Sequence, residues 1–148
     1  MDPKAKIEIL NRLLEAEITA IEFYQIHAAS ITEADIAEGI RAIIPAEKSH
    51  AINLATRIRE LSGKPIDHSV DAAKAGRKMG EESRQKGTLG MLRLELDNEQ
   101  QAIKDYATPV AEILNDFETI EMLEEQLFDE MRHAKWLKKK ILALEGKR

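Results

Sequence analysis

Apolar residues recur along this chain every three to four positions in four long runs, which predicts amphipathic helices rather than strands. The first run reads Leu10, Leu14, Glu17, Ile21, Tyr24 and then His27 or Ala28, predicting helix A over about residues 3–29, with Pro3 suited to its first turn. Helix B is predicted over about 33–61 with Thr32 as N-cap; its stripe is Ile36, Ile40, Ile44, Glu47, His50 or Ala51, Leu54, Ile58 and Leu61. Pro45 falls inside helix B and predicts a kink. Helix C, about 89–114, carries Leu92, Leu96, Glu99, Ile103, Tyr106, Val110 and Ile113, with a bend expected at Pro109. Helix D follows a cap at Asp116 and runs to about 144 through Ile120, Leu123, Leu127, Glu130, His133 or Ala134, Leu137, Ile141 and Leu144.

Each stripe is interrupted where a core residue belongs. A carboxylate there is costly unless something positive compensates it. The interruptions also repeat. Glu47-Lys-Ser-His50 reappears as Glu130-Met-Arg-His133, and Glu17-Ile-Thr-Ala-Ile-Glu-Phe-Tyr24 as Glu99-Gln-Gln-Ala-Ile-Lys-Asp-Tyr106. The two halves are offset by 82 or 83 residues, and Leu54, Ile58 and Leu61 return as Leu137, Ile141 and Leu144. Residues three apart on a helix share a face, so each Glu-x-x-His points a carboxylate and an imidazole the same way.

One such pair on a charged helix is ordinarily a solvated surface pair. Four carboxylates and two imidazoles on the seams of four helices are a different matter, because two divalent cations neutralise the four negative charges and make their burial feasible. Glu17, Glu47, His50, Glu99, Glu130 and His133 are therefore the candidate metal ligands. Glu95, one turn before Glu99 on nearly the same face, is either a supporting carboxylate or the competing ligand; the tyrosine-containing repeat favours Glu99. Tyr24 and Tyr106 are either core aromatics or hydrogen-bond donors to ligating carboxylates. Asp129 is placed to orient an imidazole of another helix, whereas its counterpart in helix B is Ala46, so the two metal positions are expected to differ. His27 and His68 read as structural or surface residues rather than ligands, and Trp136 as core packing, with an electron-relay role as the weaker alternative.

The stretch from about 62 to 88 holds four of the seven glycines and is the only long connection, with a short helix suggested over Asp71 to Ser83. A connection of that length crosses the height of a bundle. The expected fold is all-α: a four-helix bundle, two helical hairpins joined by a long crossover, in one domain spanning residues 1–148. Composition agrees, with 33% charged, 43% hydrophobic and only 4% aromatic residues. A net charge of -5 with scattered basic residues argues against nucleic acid or membrane as partner, and no apolar run approaches spanning length, so a cytoplasmic location is expected. The absence of cysteine rules out disulfides, thiolate metal sites and cysteine nucleophiles, leaving oxygen and nitrogen ligands.

The ligand set, its order and the strings Asn11-Arg-Leu-Leu-Glu-Ala-Glu17, Ala20-Ile-Glu-Phe-Tyr24-Gln-Ile-His27-Ala and His133-Ala-Lys-Trp136 resemble bacterioferritin and, more distantly, rubrerythrin, within the ferritin-like di-iron carboxylate proteins. The resemblance implies that Glu47 and Glu130 bridge two iron ions while Glu17 with His50 and Glu99 with His133 complete one each. It has two departures. Lys48 stands where bacterioferritin has its haem-ligating methionine, so no haem is expected. That cage-forming family carries a short fifth helix after helix D; here the sequence ends in Gly146-Lys-Arg148, so no fifth helix, no 24-subunit cage and most simply a homodimer are expected.

The resulting expectation is a non-haem di-iron oxidoreductase that oxidises Fe(II) with O2 or H2O2, a ferroxidase or rubrerythrin-like peroxidase with a detoxifying role. A peroxidase would need a separate electron donor. Two alternatives stand beside it: a metal-binding or carrier bundle without turnover, and a di-manganese catalase-like enzyme, since hard oxygen ligands also suit Mn(II).

Overall fold

A computed structural model describes residues 1–66 and 69–146 of the chain; His68 lies outside them. The helices are α1 (Pro3–Ser30), α2 (Ala34–Glu60), α3 (Ser69–Arg84), α4 (Gly87–Glu112) and α5 (Phe117–Gly146). The expectation of four helices and no fifth is thereby corrected. Five helices form among the described residues, and the additional one, α3, occupies the crossover.

Local signals explain most boundaries. Asp2 caps α1 by accepting the Ala5 N–H at 2.8 Å, with Pro3 following in the first turn. Helix α2 closes with two bonds, Gly63 N–H to the Ile58 carbonyl at 2.8 Å and Ser62 N–H to the Arg59 carbonyl at 2.9 Å, with Ser62 in the left-handed region at φ 63°. Its start departs from expectation: Glu33, not Thr32, is the N-cap and makes no capping side-chain bond. The Glu33 carboxylate instead accepts the Thr88 hydroxyl at 2.5 Å, tying the start of α2 to that of α4. Both α2 and α4 stay helical through Pro45 and Pro109.

Helices α1 and α2 form one hairpin and α4 and α5 the other; α1 also meets α4, and α2 meets α5. The core falls into two apolar clusters. One holds Phe23, Ile40, Leu92 and Leu137; the other holds Leu10, Leu54, Ile58 and Leu123. Every long helix passes from one cluster to the other, and the seam carboxylates lie between them, at mid-height. Helix α3 runs alongside α1, with Gly76 against the Thr19 carbonyl and Gly80 against Ile26 and Phe23. No helix among the described residues is long and apolar enough to cross a membrane.

The hairpins are pinned at one end through Asp116. It accepts from Lys6 of α1 at 2.8 Å, from Arg57 of α2 at 2.8 Å, and from the Thr119 N–H at 3.1 Å as the cap of α5. Partial burial would raise this carboxyl, but the bonds from Lys6, Thr119 and Arg57 prevail and hold it well below the usual carboxylate range. A depressed carboxyl stabilises the fold above its unfolded pKa, and that contribution is lost as pH falls through it. Asp116→Asn is accordingly expected to cost about 1–2 kcal/mol at neutral pH. In urea melts the gap from wild type should narrow in acid; a gap that widens there would refute the assignment.

Candidate metal centre

The seam residues converge. Glu17 of α1, Glu47 and His50 of α2 and Glu130 of α5 offer ligand atoms that all lie within 4.8 Å of one another, and so do Glu47, Glu99 of α4, Glu130 and His133. The two groups share Glu47 and Glu130. Around His50, the Nδ1 atom lies 3.4 Å from Glu17, 3.3 Å from Glu130 and 3.7 Å from Glu47. The Nδ1 of His133 lies 3.3 Å from Glu47 and 3.5 Å from both Glu99 and Glu130.

Seven atoms of these six residues lack hydrogen-bond partners: Oε2 of Glu17 and Glu99, Oε1 of Glu47, both carboxylate oxygens of Glu130, and Nδ1 of both imidazoles; Oε1 of Glu95 and of Gln126 nearby lack them too. Buried polar groups are seldom left so. The orphaning of the seven, in a set made wholly of carboxylates and imidazoles, fits hard or borderline divalent cations such as Fe(II) or Mn(II). Burial, then the charge of Glu47, pushes the Glu17 carboxyl up to about 8, and burial pushes Glu47 up to about 7. Burial would lower the imidazoles, yet the surrounding carboxylates raise His50 to about 11 and His133 to about 12. Without metal the cluster thus retains protons that a cation would displace.

The supporting shell crosses between halves. The Tyr24 hydroxyl donates to Glu99 at 2.5 Å, and the Tyr106 hydroxyl donates to Glu17 at 2.8 Å, so each tyrosine holds the other half's carboxylate. Gln126, which sequence reasoning missed, donates its amide to the Tyr106 hydroxyl at 2.8 Å. Its signal was an amide on the α5 seam, one turn before Glu130. Asp129 lies 2.8 Å from Nε2 of His50, whereas its counterpart in the repeat, Ala46, can offer His133 no carboxylate. His133 is 12% exposed against 2% for His50, so the two positions are unequal in support and in access to water. Removing Asp129 with an alanine is expected to weaken cation binding at the His50 position about ten- to hundredfold. Resolved Co(II) titrations should show one site weakened; two equally weakened sites would contradict the pairing.

Glu95 is buried but joins neither ligand group. Its Oε2 lies 2.6 Å from Nδ1 of His27, whose Nε2 lies 2.7 Å from the Ser83 hydroxyl of α3. His27 is itself fully buried, and burial lowers it to about 4. Both residues stood on apolar seams, which was the available signal for their pairing.

A family model described as the ferritin-like domain matches residues 7–146. The chain belongs to the ferritin-like family. A solved structure of this ferritin-like fold, described as a dodecameric thioferritin, the bacterioferritin-related protein of Bacteroides fragilis, matches with a TM-score of 0.84. It is 21% identical, and the match covers 99% of this chain and 90% of that one. No curated protein matches significantly. The homodimer expected from the sequence is corrected at this point. A chain of the same fold forms a dodecamer, so the step from the sequence to a simple pair does not hold.

Proposed function

We propose that this ferritin-like chain, a single domain, is a non-haem ferroxidase that takes Fe(II) as substrate and works within a cage-type oligomer. The observation that carries the reading is the pair of overlapping ligand groups sharing Glu47 and Glu130, with orphaned donor atoms on every member. Glu17 with His50 would hold one ion and Glu99 with His133 the other, bridged by Glu47 and Glu130. Two Fe(II) ions held together supply one electron each, so that O2 is reduced to H2O2, or H2O2 to water, without a one-electron product escaping.

The protein's part is to bind, space and orient. Tyr106 and Gln126 fix Glu17, Tyr24 fixes Glu99 and Asp129 fixes the His50 ring, while the apolar clusters above and below keep bulk water from the carboxylate layer. Carboxylate-rich ligation favours Fe(III), which drives the oxidation forward. Assembly into a shell, as in the dodecameric thioferritin, would give the oxidised iron a container.

The test is stopped-flow absorbance of protein loaded anaerobically with two Fe(II) per chain and mixed separately with O2 and H2O2. Ferric absorbance should rise far faster than for free Fe(II), and Tyr106→Phe should slow it several-fold. A rise no faster than in protein-free solution would leave a metal-binding bundle without turnover.

A further inference from the structure

One buried polar chain lies outside the ligand groups. His27 of α1, Glu95 of α4 and Ser83 of α3 are all buried and bonded in series, Glu95 to Nδ1 of His27 and Nε2 of His27 to the Ser83 hydroxyl. The internal repeat shows that the fold does not need it. At the offset of 82 that relates Glu17 to Glu99 and Tyr24 to Tyr106, the counterparts of His27 and Glu95 are Pro109 and Leu13, both buried. The other half fills the same place with apolar groups, so an acid and an imidazole retained beside Glu99 alone serve that side of the centre.

The bonds at Ser83 fix the protons. Its hydroxyl oxygen lies 2.6 Å from the Met79 carbonyl oxygen, and two oxygens that close need a proton between them, so Ser83 donates there. The same hydroxyl oxygen then accepts from His27, which places a hydrogen on Nε2. Two states are left at Nδ1: an imidazolium facing a carboxylate, or a neutral ring accepting the proton of a carboxylic acid. The second is favoured, because both groups are cut off from water and the Phe23 ring packs against His27 with centroids 5.6 Å apart. Oε1 of Glu95 also has no partner that would stabilise a negative charge. Burial acts in the same direction on each group, lowering His27 and raising Glu95.

We propose that Glu95 is a neutral acid donating its proton to His27, and that Ser83, His27 and Glu95 are positioning residues that keep this fifth buried carboxyl out of the ligand set. The part concerning ligands rests on the paired-cation reading of the centre; the proton assignment does not. Glu95 stands one turn from Glu99 on α4, where an ionised side chain would add a negative charge to a layer whose four carboxylates two divalent cations already balance. Ser83 prevents this by accepting from Nε2–H, which leaves Nδ1 bare to hold the acid. Helix α3 thereby sets the charge of the centre and leaves Glu99 as the one carboxylate that α4 offers the metals.

Long-range proton–nitrogen NMR of the histidine-labelled full chain reads the tautomer directly, with His27→Gln identifying the signal. Wild type should show His27 as the neutral Nε2–H ring, both without metal and with Zn(II). Glu95→Gln, whose amide N–H replaces the acid proton as donor to Nδ1, should keep that tautomer and still bind two Co(II) per chain. Ser83→Ala leaves Nε2–H without an acceptor. Its ring should switch to Nδ1–H facing an ionised Glu95, and Co(II) at the position of Glu99 and His133 should bind several-fold tighter. An imidazolium or an Nδ1–H ring in wild type would overturn the proposal, as would loss of one Co(II) in Glu95→Gln or unchanged Co(II) affinity in Ser83→Ala. Two Co(II) bound with His27 in the expected state support it even where Fe(II) is not oxidised, and the ferroxidase reading alone then falls.

Discussion

Replacing Glu47 by glutamine is expected to stabilise the metal-free protein and at the same time remove most of what metal does for it. The two effects have opposite signs because the carboxylate is a liability in one state and a ligand in the other. Without metal, Glu47 is buried with Glu17, Glu99 and Glu130 around it, and its Oε1 has no hydrogen-bond partner. Exchanging that charge for a neutral amide of the same shape relieves repulsion and desolvation worth about 1–3 kcal/mol. With metal, a bridging residue is lost from both ligand groups at once, so oxidation should fall at least about a hundredfold. Cation at roughly a hundred times its dissociation constant stabilises wild type by about 2.7 kcal/mol, and most of that shift should vanish. Melting curves with and without Co(II) read both effects. A variant that melts lower than wild type without metal, or keeps the full metal shift, would show that Glu47 is a structural residue instead.

Gly76→Leu is expected to detach α3 from the bundle. A Cβ at Gly76 would lie 2.2 Å from the Thr19 backbone carbonyl oxygen, an atom that cannot swing aside as a side-chain tip can. Thr19 also donates its hydroxyl to the Ala72 carbonyl at 3.2 Å, a contact that requires the two helices to stay close. Forcing a leucine into that interface should cost about 3 kcal/mol or more, at the upper end of overpacking. It should also free Ser83 from His27, exposing the α3 segment to protease. Cleavage between α2 and α4 at the wild-type rate would mean that α3 does not depend on this approach.

Those two substitutions mark where the sequence was legible and where it was not. The convergence of the six seam residues could be read because helical periodicity forces Glu-x-x-His onto one face, and because the repeat gave each interruption of an apolar seam a partner 82 or 83 residues away. The long helices were legible for the same reason. Helix α3 was legible only as a short helix over Asp71 to Ser83, because nothing in the sequence tells that Gly76 and Gly80 serve its close approach to α1. Thr32 looked like a cap, but Glu33 takes the position and spends its carboxylate on Thr88 instead. Which half's tyrosine meets which carboxylate is a three-dimensional fact that periodicity cannot supply. The pairing of His27 with Glu95 was hidden likewise, since each alone could be an isolated polar residue on a seam. Assembly was misjudged because helix count says little about the surfaces that the helices present to other copies.

The central claim is that two cations sit together, bridged by Glu47 and Glu130. Electron paramagnetic resonance of protein loaded with two Mn(II) per chain tests it most directly, because carboxylate-bridged ions a few Å apart couple magnetically. The expected spectrum is that of a coupled pair, reverting to isolated Mn(II) in Glu47→Gln and Glu130→Gln. Isolated-ion lines from wild type at two equivalents, with no coupled component, would contradict the shared site.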